Sequence, residues 1–296
     1  MKNSIRPIKI LDSRNVTSSS LARIFSASIF NELANKGHSP TLKSLTSELD
    51  IAVNEFESLS ELFDYAYKQL SKFYRNEYLY KNSIANKILL GKHSINTASM
   101  LSEFRIANSK ADAMILNGTS HIYEIKTELD SLERLEQQLC DYLKFAEFVS
   151  VIADGKHISK LETYIPKSVG LIEFTSKDTL KVLRKAESNI NNLNLDVIFD
   201  SLRKNEYSSI IKTYYGYIPE APNTLLYREC KKLFIKIPIV IVHKLVLKAL
   251  KLRAKSKLDK KLVLKAPKSL KATMICNDFT KKQINNLSSA LGECII

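Results

Sequence analysis

Asn117-Gly118 is the dipeptide that most restricts what this chain can become. Both residues tolerate the positive φ angles of a tight hairpin, which most side chains resist. They stand between two short β-like runs, 111–116 and 121–127, so the spacing predicts strands paired antiparallel across the turn. A third such run, 100–106, precedes them, and before it residues 76–90 have helical character up to Gly91. Beyond the hairpin, Leu132, Leu135, Leu139, Tyr142, Leu143 and Ala146 recur as one face of an amphipathic helix. Two further strand-like runs follow at 148–153 and 169–174. The order helix, three strands, helix, strand predicts a mixed sheet in an α/β domain.

The flanks of this core read as helical. Leu21, Ile24, Phe25, Ile29 and Leu33 recur at helical spacing, and Gly37 stands where such a helix would stop. After a Ser-Pro-Thr turn the pattern resumes through Leu62, Tyr65, Leu70 and Phe73. Short helices of this kind serve either as a helix-turn-helix reader of DNA or as a helical cap. From Leu180 onward the chain is again mainly helical in pattern, interrupted near 216–222. The expected organisation is a helical N-terminal region (1–73), an α/β core (74–178) and a mainly helical, strongly basic C-terminal region (179–296).

Composition narrows the function classes. At 45% apolar residues the chain can bury a core, and its longest apolar run, 237–242, falls far short of the roughly 20 residues a membrane span needs. No signal peptide is recognised at the N-terminus. Cys140, Cys230, Cys276 and Cys294 are never closer than 18 positions, which does not fit short-spaced zinc pairs and suits a reduced, cytoplasmic compartment. His93, His121 and His157 are expected at the surface with no ligand role.

The formal charge of +14 is concentrated: between 225 and 273, 15 Lys and Arg less Glu229 and Asp259 leave +13. Within that stretch Lys244, Lys248, Lys251 and Lys255 fall at helical intervals, with Leu245, Ala249 and Leu252 on neighbouring faces. Such a face suits a polyanion, nucleic acid ahead of anionic lipid, and no membrane partner is expected. Tyr214, Tyr215, Tyr217 and Tyr227 are candidates for stacking on bases or for core packing.

The residues that suggest chemistry lie on the predicted hairpin. Asp112 opens one strand, and Glu124 and Lys126 lie two apart on its partner, where side chains share a face. Their neighbours Ala113 to Leu116, Tyr123 and Ile125 are largely apolar, so the charges sit at the edge of a core. Carboxylates there need a counter-ion, and a divalent metal is the natural one.

Asp112, followed after eleven residues by Glu124-Ile125-Lys126, resembles the signature of the PD-(D/E)XK nuclease superfamily, with Ala111 in the place of its Pro. Residues 76–174 resemble in particular a bacterial family known mainly from predicted proteins, through Asn76-Glu77-Tyr78, Ser102-Glu103-Phe104-Arg105, Ser109-Lys110-Ala111-Asp112 and Tyr123-Glu124-Ile125-Lys126. The resemblance implies a restriction-endonuclease-like core with helical N- and C-terminal additions. It implies that Asp112, Glu124 and the backbone oxygen of Ile125 ligate Mg²⁺ (or Mn²⁺), whose preference is for hard oxygen donors. Lys126 would then orient or help deprotonate the attacking water, and Glu77 would supply a further acidic group. Gln138 and Tyr142, four apart on the following helix, resemble the Gln-x-x-x-Tyr motif that positions nucleic acid in related nucleases. Glu103 is either a more distant support of the metal or a partner for Arg105 or Lys110.

The implied activity is metal-dependent hydrolysis of phosphodiester bonds, in DNA ahead of RNA, with defence against phage or mobile elements as an analogy for its setting. The competing reading is a nuclease-like module that binds nucleic acid or a protein without cutting. Oligomeric state, with a homodimer as one candidate, is not fixed by these residues.

Overall fold

The alternation between 99 and 126 is realised as an antiparallel meander in the computed structural model of the protein, which describes residues 19–255 and 258–292. Strands β1 (Ser99–Ile106), β2 (Ser109–Leu116) and β3 (Ser120–Lys126) pair in sequence order. Gly118, at φ +76°, makes the turn between the last two. Next come β4 (Phe148–Asp154) and β5 (Gly170–Phe174), each parallel to its predecessor. Parallel neighbours need a crossover, and the helices Leu135–Leu143 and Gly155–Tyr164 provide the two. A sixth strand, β6 (Leu180–Arg184), closes the edge antiparallel to β5, giving a mixed sheet in the order β1 to β6.

That last strand corrects the sequence reading, which begins the helical C-terminal region at Leu180. Its five residues are all partly or fully exposed, so no buried face imposes a period for the eye to find. The helix Gly155–Tyr164 is likewise not apparent in the sequence, because only Leu161 in it is fully buried. Gly170 is needed where it stands: a Cβ there would collide with the Ser150 hydroxyl on β4 and with the backbone nitrogen of Ala186.

Backbone packing divides the described residues into two units, one of residues 19–82 with 258–292 and one of residues 83–255. In the first, the C-terminal helix Lys281–Gly292 packs with Ala27–Lys36 and Leu59–Phe73, and Pro40–Glu48 packs with Ala27–Lys36. The first helix stops at Gly37, φ +79°, as its sequence suggests. Buried Asn82 joins the two stretches of this unit, donating to the Lys268 carbonyl (2.8 Å) and accepting from the Ala272 N–H (3.0 Å). Cys294 and the first eighteen positions of the expected N-terminal region lie outside the described residues.

In the second unit one face of the sheet is covered by helices. Met114, Ile122, Val149, Val151 and Leu171 meet Leu135, Leu139 and Tyr142 of the first crossover helix there, and Val242, Val246 and Leu250 of the long helix Ile239–Lys255. Among the described residues no helix is long and apolar enough to cross a membrane.

Candidate active site

Glu124 and Lys126 lie on the helix-covered face of β3, and both are buried, at 1% and 6% exposure. Their charges meet at 2.9 Å. The helix Leu135–Leu143 supplies the rest of the environment: Gln138 Oε1 accepts from Lys126 Nζ at 2.9 Å, and the Tyr142 hydroxyl donates to Glu124 Oε2 at 2.8 Å. The four-residue spacing of Gln138 and Tyr142 therefore delivers one group to each member of the ion pair. Burial raises the Glu124 carboxyl above its ordinary range, with the Lys126 ammonium opposing that rise. The Tyr142 hydroxyl is held far above its ordinary range, by burial first and then by the Glu124 charge. Tyr142 is fully buried, so in this state its hydroxyl serves Glu124, while Gln138 is half-buried.

Asp112 reaches the same place from β2. Its Oδ2 accepts the Ile125 N–H at 2.7 Å, from the peptide that links Glu124 to Ile125. The paired register of β2 with β3 runs from Leu116–Ser120 to Ala113–Tyr123. Asp112 stands one step beyond, so its side chain takes a backbone donor where that ladder ends, as buried N–H groups require. The Tyr142 hydroxyl likewise lies 3.0 Å from the Lys110 carbonyl. Asp141, buried on the same helix and not singled out from the sequence, accepts from Ser109 Oγ at 2.8 Å and fixes the helix to the start of β2. Nothing in its sequence neighbourhood distinguishes it from an exposed helix carboxylate.

The rung between β1 and β2 is irregular at this point. The register passes from Ser102–Ala113 to Phe104–Ala111 and skips Glu103 and Asp112, which face each other between those pairs. Leu101 and Phe104 pack on the same core although three residues apart, and so do Ala111 and Met114. Strict alternation would put them on opposite faces, so both strands invert their pleat at Glu103 and Asp112. Glu103 carries the inversion at φ +55°, a left-handed conformation that costs roughly 1–2 kcal/mol for a residue with a Cβ. Carboxylate oxygens of Glu103 and Asp112 come within 4.8 Å of each other, and Lys110 Nζ lies 2.6 Å from Glu103. Hard oxygen donors from β1 and β2 thus lie near each other beside the Lys110 ammonium, while both Glu124 oxygens on β3 are engaged by Lys126 and Tyr142.

Glu77 belongs to the first unit. It opens the helix Glu77–Ser83, which runs on as a π-helical stretch Ile84–Leu90, and it pairs with Lys81 at 2.5 Å. Of the four lysines on Ile239–Lys255, Lys244 and Lys248 are exposed. Lys251 and Lys255 are half-buried and donate to the carbonyls of Thr97 (3.0 Å) and Asn96 (2.5 Å). All four line a shallow groove of about 480 Å³ with Gly118 at its border. The basic stretch 225–273 is shared between the two units. Tyr214, Tyr217 and Tyr227 are more than 40% exposed, whereas the Tyr215 hydroxyl donates to the Leu233 carbonyl at 3.0 Å. His121 departs from its expected place at the surface, because both its ring nitrogens are engaged among neighbouring side chains.

Residues 71–280 match the family described as Bacteriophage P4 protein cII. This span is more than half of the chain. The chain belongs to that family. Protein cII of Enterobacteria phage P4 is 30% identical over 131 residues, which is 43% of this chain and 49% of that protein. The chain therefore spans about half the length of the curated relative it matches. A solved structure, the SPO1766 protein of unknown function from Silicibacter pomeroyi, is similar at 18% identity over 31% of this chain and 62% of that one, with a TM-score of 0.26.

Proposed function

We propose that this protein is a metal-dependent nuclease that hydrolyses phosphodiester bonds of DNA, built on a restriction-endonuclease-like core. The observation that carries the reading is the hydrogen bond that Asp112 accepts from the N–H of Ile125, the residue between Glu124 and Lys126. It brings the three residues of the implied motif to one locus, in a sheet that inverts its pleat there. Backbone strain of this kind clusters at functional sites.

Asp112 and Glu124, with the carbonyl of Ile125, would hold Mg²⁺ or Mn²⁺, and Glu103 would support the Asp112 side. When bound, such an ion lowers the pKa of the attacking water and screens the phosphodiester charge. Lys126 would orient the water and offset the developing negative charge, with its ammonium held by Gln138. Tyr142 fixes the Glu124 carboxylate from behind. Glu77 enters on the sequence resemblance alone. Lys244 and Lys248, with Lys251 and Lys255, are proposed to track the phosphate backbone.

A second reading rests on the 1% exposure of Glu124 and on the engagement of both its oxygens by Lys126 and Tyr142. A pair so well satisfied also suits a module that binds nucleic acid without cutting it. Supercoiled plasmid, single-stranded DNA and RNA, each with Mg²⁺, Mn²⁺ or EDTA, separate the readings. The nuclease reading expects cleavage by the parent that EDTA abolishes and that Asp112→Asn, Glu124→Gln and Lys126→Ala lower by at least a hundredfold. Glu77→Gln tests the added acidic group in the same assay. Binding without cleavage by the parent would leave the second reading standing. Defence against phage or mobile elements is the proposed setting, tested by plaque counts on cells expressing the parent or Glu124→Gln.

A further inference from the structure

The sheet has a second face, and it holds a cavity of about 380 Å³ lined by residues of the second unit alone. Ile122, Glu124 and Lys126 point to the helix-covered face. Their neighbours His121 and Tyr123 point the other way, with Phe148 and Ser150 of β4 beside them in register. The floor is aromatic: His121 and Tyr123 stack with centroids 4.2 Å apart and planes 17° from parallel, and Phe148 lies 5.6 Å from His121. The Tyr123 hydroxyl is 3.1 Å from His121 Nδ1, and His121 Nε2 is 2.9 Å from Ser150 Oγ. Both nitrogens are engaged and the imidazole stacks on Tyr123, with both side chains lining the cavity. Burial, then the charges of His93 and Lys92, push His121 down to about 3, so the ring is neutral.

The rim is cationic. Lys92 and Lys185 line it from exposed positions, and Arg184 lines it with its guanidinium donating to the Val169 carbonyl at 2.9 Å. Among the described residues that line the cavity there is no carboxylate. Asn117 and Thr119 add hydrogen-bonding groups at the hairpin end. The size lies within the range of small-molecule sites, roughly 300–1,000 Å³. Aromatic groups beside exposed positive charge suit a ligand that is itself flat at one end and anionic at the other.

We infer that this cavity binds a nucleoside monophosphate, its base against the His121–Tyr123 stack and its phosphate at Lys92 and Lys185. The site lies on the face of the sheet opposite Glu124 and Lys126 and does not depend on any cleavage by them. The same chemistry has two sources, a free mononucleotide or the 5′-phosphorylated end of a strand.

Calorimetric titration of the full chain in EDTA tests it, with AMP, GMP, CMP, UMP, a 5′-phosphorylated oligonucleotide and inorganic phosphate as separate arms. Saturable binding of a mononucleotide or of the phosphorylated strand end is expected, the tighter of the two naming the source, with inorganic phosphate at least tenfold weaker. The double variant Lys92→Glu/Lys185→Glu, and separately Val182→Trp at the exposed mouth, should each weaken that binding at least tenfold. Circular dichroism and the urea midpoint check that both variants are folded. No binding by any nucleotide arm up to millimolar concentration overturns the inference. So does phosphate binding as tightly as a nucleotide, or folded variants that bind within twofold of the parent.

Discussion

Glu124 is a carboxylate that the fold holds away from water, and the energetics of the site turn on how it is compensated. Removing one partner of a buried ion pair typically costs about 3–5 kcal/mol, because the other charge is left alone. Lys126→Met should therefore lower stability by about that amount in urea denaturation. The double variant Glu124→Gln/Lys126→Met should recover most of the loss. Equal destabilisation by the single and double variants would show that the pair is not coupled in the folded state. His121 gives the site's opposite face a pH signature. In the unfolded chain it takes up a proton near pH 6.5, while in the fold it stays neutral down to about 3. The folded pKa is depressed, so this group's contribution to stability is present above pH 6.5 and is lost as the pH falls toward 3. The urea midpoint of His121→Gln should fall less than the parent's between pH 7 and pH 4; parallel curves would remove His121 as the cause.

At the scale of elements, the long helix Ile239–Lys255 does two things with one sequence. Val242, Val246 and Leu250 bury its inner side in the core, and the lysine series lines the groove on its outer side. If the outer side tracks phosphates, every lysine withdrawn from a phosphate should reduce the slope of log K against log salt by about 0.7–0.9. Lys244→Glu and Lys248→Glu are the informative variants, because both side chains are exposed and neither holds the fold together. Their combination should flatten the salt dependence of DNA binding by nearly two such steps. An unchanged slope would exclude this face. The crossover helix Leu135–Leu143 is legible as an amphipathic helix, and Gln138 and Tyr142 are legible as sharing a side of it. That this side meets Glu124 and Lys126 follows from β3 and β4 lying parallel, which sets the helix over the strand it has just left. Strand β6 is not legible, since an exposed edge of five residues carries no buried period.

For the molecule as a whole, a bound ion would show itself as stability before any substrate is added. A ligand that binds only the folded state stabilises it by about 2.7 kcal/mol at a concentration of one hundred times its Kd. Mn²⁺ or Mg²⁺ should accordingly raise the Tm of the parent and leave that of Asp112→Asn unmoved. A rise of equal size in both would place the ion elsewhere. The division into two units, the first built from both ends of the chain, follows the packing of its helices. Division by composition instead follows contiguous stretches, which is why the basic stretch 225–273 reads as one region in the sequence and is shared between units in the structure.

Local rules were enough for the hairpin at Asn117-Gly118, the α/β character, the crossover helix and the shared hairpin of Asp112, Glu124 and Lys126, whose candidacy as a site came from the family resemblance. Turn chemistry and apolar periodicity depend only on near neighbours along the chain. The tertiary structure decided the rest of the site. Period-two alternation places Glu124 and Lys126 on one face, but it cannot foresee that β1 and β2 invert their pleat at Glu103 and Asp112. That inversion arises because two adjacent strands depart from the ladder at the same rung, and Asp112 then satisfies a backbone donor of a third. Nor could alternation alone assign His121 and Tyr123 to a cavity, since the walls come from β4, β6 and the residues around Lys92. Which face of a strand is buried is written in its sequence; what covers that face is settled only when distant segments compete to exclude water from it.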